Sequence, residues 1–282
     1  MKTVVVDVGG GLRGIYAAGV FDRCLEENIQ FYAGMGVSAG SANIASYIAG
    51  QKGRNYHFYT EYSFRKDYMS FHNFLVKKSY IDMDYLYGKL SNSQGENPLD
   101  YASFKDSPVK FIAVATNAWT GEARYFDKTD MRMDDYGVLK ASCSIPFVCQ
   151  PYVVEGIPYY DGAVSDPVPI EKAFSLGADK VVLILTKPRN FQRTPEKDKR
   201  LAAHIRKKYP LAAAGLEKRA ENYNRKVTLA KELEKQGKLL LIAPDDTCGI
   251  DTLTRDKKAM ERFYEKGFQD GEKIGAFCHC EN

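Results

Sequence analysis

The sequence predicts an α/β protein built on a largely parallel, helix-covered sheet, and three observations carry this. Strand-like apolar segments near 3–8, 31–37, 109–116, 179–186 and 238–244 alternate with helix-patterned segments near 13–28, 39–50, 168–177, 196–208, 211–236 and 254–275. Such alternation is what parallel strands joined by crossover helices require. The chain of 282 residues suffices for one main domain with an appendage, and 44% hydrophobic with 27% charged residues is an ordinary globular balance.

The first strand, Thr3 to Asp7, begins almost at once, with no apolar stretch of signal-peptide length before it, so a cytoplasmic setting is expected. The longest apolar runs, Val181 to Leu185 and Leu239 to Ile242, are far too short to span a bilayer. Six cysteines (24, 143, 149, 248, 278 and 280) follow no framework spacing and are expected to be reduced thiols. Cys278-His279-Cys280 does not offer the two separated ligand pairs of a structural zinc site, so no metal is expected there.

Gly9-Gly10-Gly11-Leu12-Arg13-Gly14 closes the first strand and feeds the next helix. Three consecutive residues without Cβ can bare their amides to a substrate oxygen, the requirement for an oxyanion hole. The run also fits a dinucleotide fingerprint, but that site needs an acidic residue about twenty positions on, at the end of the second strand. Here the second strand ends in Gly36-Val37-Ser38, and no Lys-Ser/Thr pair follows the glycines to make a Walker A loop. No cofactor is expected. Arg13 suits either an anionic headgroup or a tie to a neighbouring carboxylate or carbonyl.

Gly36-Val37-Ser38-Ala39-Gly40 lies between an apolar strand and the helical pattern Ser41 to Ala49. Glycines on both sides let the backbone turn sharply and present the serine hydroxyl at a helix N-terminus, the setting of a nucleophile elbow. Residues 56–87 hold eleven of the chain's 35 aromatics. They read either as a helical cap packed on the sheet or as the lining of an acyl pocket or membrane-facing rim.

A serine nucleophile needs a base. His57 and His72 fall in the aromatic block and His204 in a Lys/Arg-rich helix, where surface or packing roles suit them. His279 would fit the Ser–Asp–His order of α/β-hydrolases, yet a nucleophile at position 38 comes early for that fold. Asp161 is the better candidate: it ends a β-rich stretch, Gly162 permits a turn, and Pro167 and Pro169 start the next helix. At a reference pKa of roughly 3.9 it would need desolvation to serve as a base, and an ordinary Asx turn is the alternative reading.

Pro188 and Pro195 bracket a polar stretch that divides a catalytic domain, 1–187, from a basic and mainly helical C-terminal extension, 188–282. Residues 187–240 contain 16 Lys and Arg against 6 Asp and Glu, net +10, leaving −6 elsewhere. This is either a solvated helical face or a contact surface for anionic membrane; no nucleic-acid partner is expected.

Taken together, Gly9 to Gly14, Gly36-Val37-Ser38-Ala39-Gly40 and Asp161-Gly162-Ala163 resemble the patatin-like phospholipase family in order and spacing, over about residues 3–186. Ala141 to Pro146 and the turn Thr116 to Glu122 are similar to segments of bacterial members, and 196–275 to an extension some of them carry. The resemblance implies a three-layer α/β/α patatin-like sandwich and a Ser38–Asp161 dyad without histidine. It also implies an oxyanion hole from the amides around Gly10, Gly11 and Leu12, and acyl-enzyme hydrolysis of lipid or other carboxylic esters without a metal. Asp7-Val8 departs from the Glu-Gly common in bacterial relatives but leaves the loop intact. The competing expectation is a catalytically weak lipid-binding or regulatory protein that keeps the pocket.

Overall fold

The computed structural model describes residues 1–279. In chain order the elements are β1 (Thr3–Asp7), α1 (Ile15–Glu26), β2 (Ala33–Val37), α2 (Ala39–Ile48), α3 (Arg54–Thr60), α4 (Phe71–Lys77), α5 (Tyr101–Asp106), β3 (Lys110–Asn117) and β4 (Ala123–Asp127). They continue with α6 (Gly137–Ser142), β5 (Tyr152–Val154), β6 (Ile157–Asp161), α7 (Ile170–Ser175), β7 (Lys180–Ile184), α8 (Glu196–Ile205), α9 (Pro210–Lys235), β8 (Leu239–Ile242), α10 (Lys257–Asp270) and α11 (Lys273–His279). The strands form one mixed sheet in the order β5-β6-β3-β2-β1-β7-β8, with β4 beside β3. The run from β3 to β8 is parallel, whereas β4, β5 and β6 join antiparallel.

Both faces of the sheet are covered, which is why the central strands read as unbroken apolar runs. Val5, Ala113 and Val182 look into a core shared with α1 and α2, while Val4, Val6, Met35 and Leu183 look into one shared with α7 and α9. The fold is therefore α/β, with helical layers on either side of a mostly parallel sheet and a helical C-terminal region.

That C-terminal region is tied to the rest by the sheet itself. β8 pairs in parallel with β7 (Val181↔Leu239, Ile184↔Ile242), and α10 packs on α1 with the rings of Tyr16 and Phe263, both fully buried, 5.2 Å apart. Burying a ring such as Phe263 contributes about 1.5–3 kcal/mol. The helix expected over 254–275 is two, α10 and α11, separated at Gly271–Glu272, where the Gly271 amide closes back on Gly267. The aromatic block becomes α3, α4 and, after them, a wide helical turn, Tyr85–Leu90; Tyr59, Tyr68 and Tyr87 are buried, Phe71 is exposed and the other rings are half-buried.

Candidate active site

The site begins with a register. Val37 at the end of β2 pairs with Val114 of β3, so Ser38 stands level with Ala115, and Ala115 pairs with Asp161 at the end of antiparallel β6. Two segments more than a hundred residues apart thereby flank one small residue.

Ser38 is 5% exposed and adopts φ 57°, ψ −132°, a conformation a non-glycine residue holds only under constraint. The constraints are visible. Its amide donates to Ser142 Oγ (3.0 Å), which donates in turn to the Val114 carbonyl (2.7 Å). Its carbonyl accepts from Ser41 N (2.9 Å) and Ser41 Oγ (2.7 Å). A Cβ on Gly36 would stand 2.3 Å from Ser41 Cα, and one on Gly40 would stand 2.3 Å from the Asp7 carbonyl, so both flanking glycines are demanded by close approach.

Asp161 is 4% exposed. Its amide donates to the Ser144 carbonyl (2.8 Å), and its carboxylate accepts from Ala163 N (2.8 Å), so it does make the Asx turn. The register sets Ser38 beside this carboxylate, and its hydroxyl helps to lower the Asp161 pKa. Burial raises its pKa above the usual carboxylate range, partly offset by the hydrogen bonds from Ser38 and Ala163 and by the positive charges of Arg219 and Arg193. Desolvation thus confers on this aspartate the basicity an exposed one lacks.

The glycine loop lies across from it. Gly9, Gly10 and Gly11 all have positive φ (64°, 131° and 62°), and the Gly9 amide donates to the Asp7 carboxylate (2.8 Å). Asp7 also accepts from Asn43 Nδ2 (2.9 Å), and burial pushes its pKa up to about 6. Of the amides expected to face an oxyanion, Leu12's donates to the Thr252 carbonyl (3.0 Å); Gly10 and Gly11 are the two that stay uncommitted among the described residues. Arg13 is buried, paired with Asp251 and bonded to Thr252 Oγ1 (3.0 Å), while its Nε has no partner. Gly14 passes against Tyr59, whose hydroxyl would meet an added Cβ at 2.3 Å.

A pocket opens from Ser38, Gly11 and Leu12 between walls that include Phe58, Tyr59, Tyr87 and Ile145. Cys143 lies in its wall with Sγ 3.4 Å from the Tyr87 hydroxyl; burial pushes the thiol up to about 12, so it stays neutral. None of the histidines with described side chains lines this pocket. His57 is exposed beside Glu61 (3.2 Å), His72 is exposed, and the His204 ring lies 4.6 Å from that of Phe147. The side chain of His279, and Cys280, lie outside the described residues. Asp166, the neighbouring acid, pairs with Lys226 (2.7 Å) and accepts from Tyr125 (2.6 Å) instead.

Asp7, Ser142, Asp251 and Thr252 have no role in the sequence reading. Ser142 sits in the segment Ala141 to Pro146, which was legible as a motif but not as a clamp; Thr252 acts through its backbone carbonyl on Leu12 and its hydroxyl on Arg13, both far away in the sequence.

Comparison with known proteins finds similarity in both parts of the chain. Residues 209–275 match a family described as a domain of unknown function, DUF6363. The uncharacterized protein YjjU of Escherichia coli (strain K12) is 32% identical over 203 residues, 71% of this chain and 56% of the relative. The chain thus spans little more than half the length of that curated relative. The crystal structure of VipD from Legionella pneumophila aligns with 13% identity and a TM-score of 0.49, over 97% of this chain and 66% of that one. Residues 8–174, more than half of the sequence, match the patatin-like phospholipase family, and the chain belongs to that family.

Proposed function

We propose that the protein is a serine acyl hydrolase acting on carboxylic esters of lipids through a Ser38–Asp161 dyad. The observation that carries the reading is the sheet register that sets buried Ser38 beside buried Asp161, whose pKa is raised by desolvation. In the first half-reaction Ser38 Oγ attacks the ester carbonyl carbon and its proton passes to Asp161. The oxyanion that forms faces the uncommitted amides of Gly10 and Gly11. Collapse breaks the bond to the alcohol, which leaves with the proton from Asp161. Water then attacks the acyl-serine, again giving its proton to Asp161, and the acid departs as Ser38 recovers its hydrogen.

A lipid surface fits the outside of the same end of the molecule. Phe71, Leu75 and Val76 of α4 are 67%, 65% and 65% exposed, and Phe74 links them to Phe147, which is 49% exposed and rests on His204 of α8. Much of the C-terminal positive charge is internally paired, as in Arg193 and Arg219 with Asp198 and Arg206 with Glu217. Lys197, Lys199 and Arg200 of α8 and Lys207 just beyond it make no ion pair among the described residues, so α8 is the part of the basic region that would meet anionic headgroups beside an apolar α4.

The test is labelling with a fluorophosphonate probe. Peptide mapping should find the adduct on Ser38 and none in Ser38→Ala. An adduct on Ser142 or Ser144, with Ser38→Ala still hydrolysing a chromogenic ester, would overturn the proposal. Failure of the wild type to turn over any ester would favour a lipid-binding protein that keeps the pocket.

A further inference from the structure

The pocket that opens at Ser38 does not end as it begins. Its near walls are apolar, yet its lining also includes Arg54, Ser91 and Asn97. Arg54 is half-buried at the start of α3. Its guanidinium donates to Ser46 Oγ (2.8 Å), Ser91 Oγ (3.0 Å), the Asn97 carbonyl (2.9 Å) and the Pro98 carbonyl (3.0 Å). All four acceptors are neutral, and one of the two N–H groups on Nη1 is left over. Among the described residues it makes no salt bridge; the nearby Glu96 is held by Arg65 through two bonds of 2.6 and 2.8 Å.

A cation drawn into protein normally takes a carboxylate with it, because neutral dipoles replace only part of its hydration. Burial lowers the pKa of Arg54 to about 10, and no carboxylate opposes the shift. The four bonds explain how the side chain is aimed and how it steadies the 91–98 loop. They leave its charge unbalanced on the wall of a substrate pocket.

The position has a scale. Ser46, which accepts from Arg54, lies on α2 eight residues beyond Ser38, about 12 Å along the helix axis. The lining also holds Phe58, Tyr59 and Leu86, with Asn43 and Asn55, whose side-chain amides are already bonded within the protein. We propose that this pocket takes an acyl arm ending in an anion, with the ester carbonyl at Ser38 and a terminal carboxylate on Arg54. The inference rests on the acyl-hydrolase reading above. The acyl arm is assigned to the pocket because its lining is mainly apolar and the leaving alcohol must escape to water. Arg54 would then select substrates by charge at the end remote from the reacting bond.

The experiment compares, in the full chain, kcat/KM for two p-nitrophenyl esters of equal acyl length, one ending in a methyl group and one in a carboxylate. A charge-assisted hydrogen bond in a dry site predicts that the wild type prefers the carboxylate-ended ester by about ten- to a hundredfold. Arg54→Gln should erase the preference, and Arg54→Lys should keep part of it because the charge remains without the planar fork. Taking the ratio within each variant cancels any loss of folded protein. Equal or poorer turnover of the carboxylate-ended ester by the wild type overturns the assignment of Arg54 and leaves the hydrolase intact. A third ester, methyl-ended but with a phosphate on its alcohol, separates the two sources of anion: an Arg54-dependent preference for that ester places the anion on the leaving group and overturns the acyl-arm placement. If no ester is turned over, the hydrolase reading fails, and thermal melting with a long-chain dicarboxylic acid decides Arg54 alone. A rise in Tm in wild type that is absent in Arg54→Gln supports the site; no rise in either overturns it.

Discussion

The Thr252 carbonyl accepts the Leu12 amide at 3.0 Å, which seats the loop between β8 and α10 directly on the glycine turn beside Ser38. A Cβ on Gly11 would meet that same carbonyl oxygen at 2.4 Å. Alongside, Arg13 pairs with Asp251 and bonds to Thr252 Oγ1 (3.0 Å), so an ion pair, a side-chain bond and a backbone bond fasten the 251–252 segment to the candidate oxyanion loop.

The fastening can be measured. The Asp251 side chain is 60% exposed but that of Arg13 only 9%, so Asp251→Ala strands a mostly buried cation. We expect a loss of about 1–3 kcal/mol, read as a lower urea midpoint with an unchanged slope. An unshifted midpoint would mean that the two bonds to Thr252 hold the loop without the ion pair.

Two neighbouring acids should separate function from stability. Asp161→Asn keeps the shape but removes the base, and turnover should fall at least about a hundredfold with little change in melting temperature. Asp166→Asn breaks a buried pair with Lys226, which retains Glu171 at 2.8 Å, so it should cost about 1–3 kcal/mol of stability and spare most activity. The reverse pattern would move the base to Asp166.

The pH profile follows from burial at both carboxylates. Protonated Asp161 cannot take the Ser38 proton, so kcat/KM on an uncharged ester should rise with pH through an apparent pKa above the ordinary carboxylate value of roughly 3.9. Stability runs the other way at Asp7. Its folded pKa is raised from 3.8 to about 6, so the folded state holds the proton more tightly and stability declines as pH rises between those values. The decline should amount to roughly 3 kcal/mol, and Asp7→Asn should flatten it in urea melts taken at about pH 4 and about pH 7. The same pH dependence in wild type and variant would refute the assignment.

Membrane contact is tested on vesicles. Replacing Phe71, Leu75 and Val76 by serine should weaken binding to anionic vesicles roughly tenfold or more, with the melting temperature kept because these side chains are exposed. Raising salt should weaken binding further by screening the α8 cations over roughly 8 Å. Indifference to both treatments would leave α8 as a merely solvated face.

Several features of this protein were legible in the sequence because their causes are local. The strand periods, the helix after each of them, and glycines on either side of Ser38 and through 9–11 depend on which residues stand next to one another. The turn after Asp161 belongs with them, since Gly162 follows it directly, although the Val114 carbonyl that an added Cβ would meet at 2.2 Å comes from β3. The antiparallel entry of β6 beside β3, which sets Asp161 opposite Ala115 and next to Ser38, came only from the assembled sheet. So did β8 completing that sheet, Ser142 holding the Ser38 amide, Thr252 covering Leu12, and Arg54 reaching the pocket without a counter-ion among the described residues. Each of these is a contact between segments far apart in the chain, made by a backbone group, a small hydroxyl or a charge whose meaning depends on what lies opposite it. Nothing in the neighbouring residues specifies that partner, and only burial of the two cores against the sheet brings it into reach.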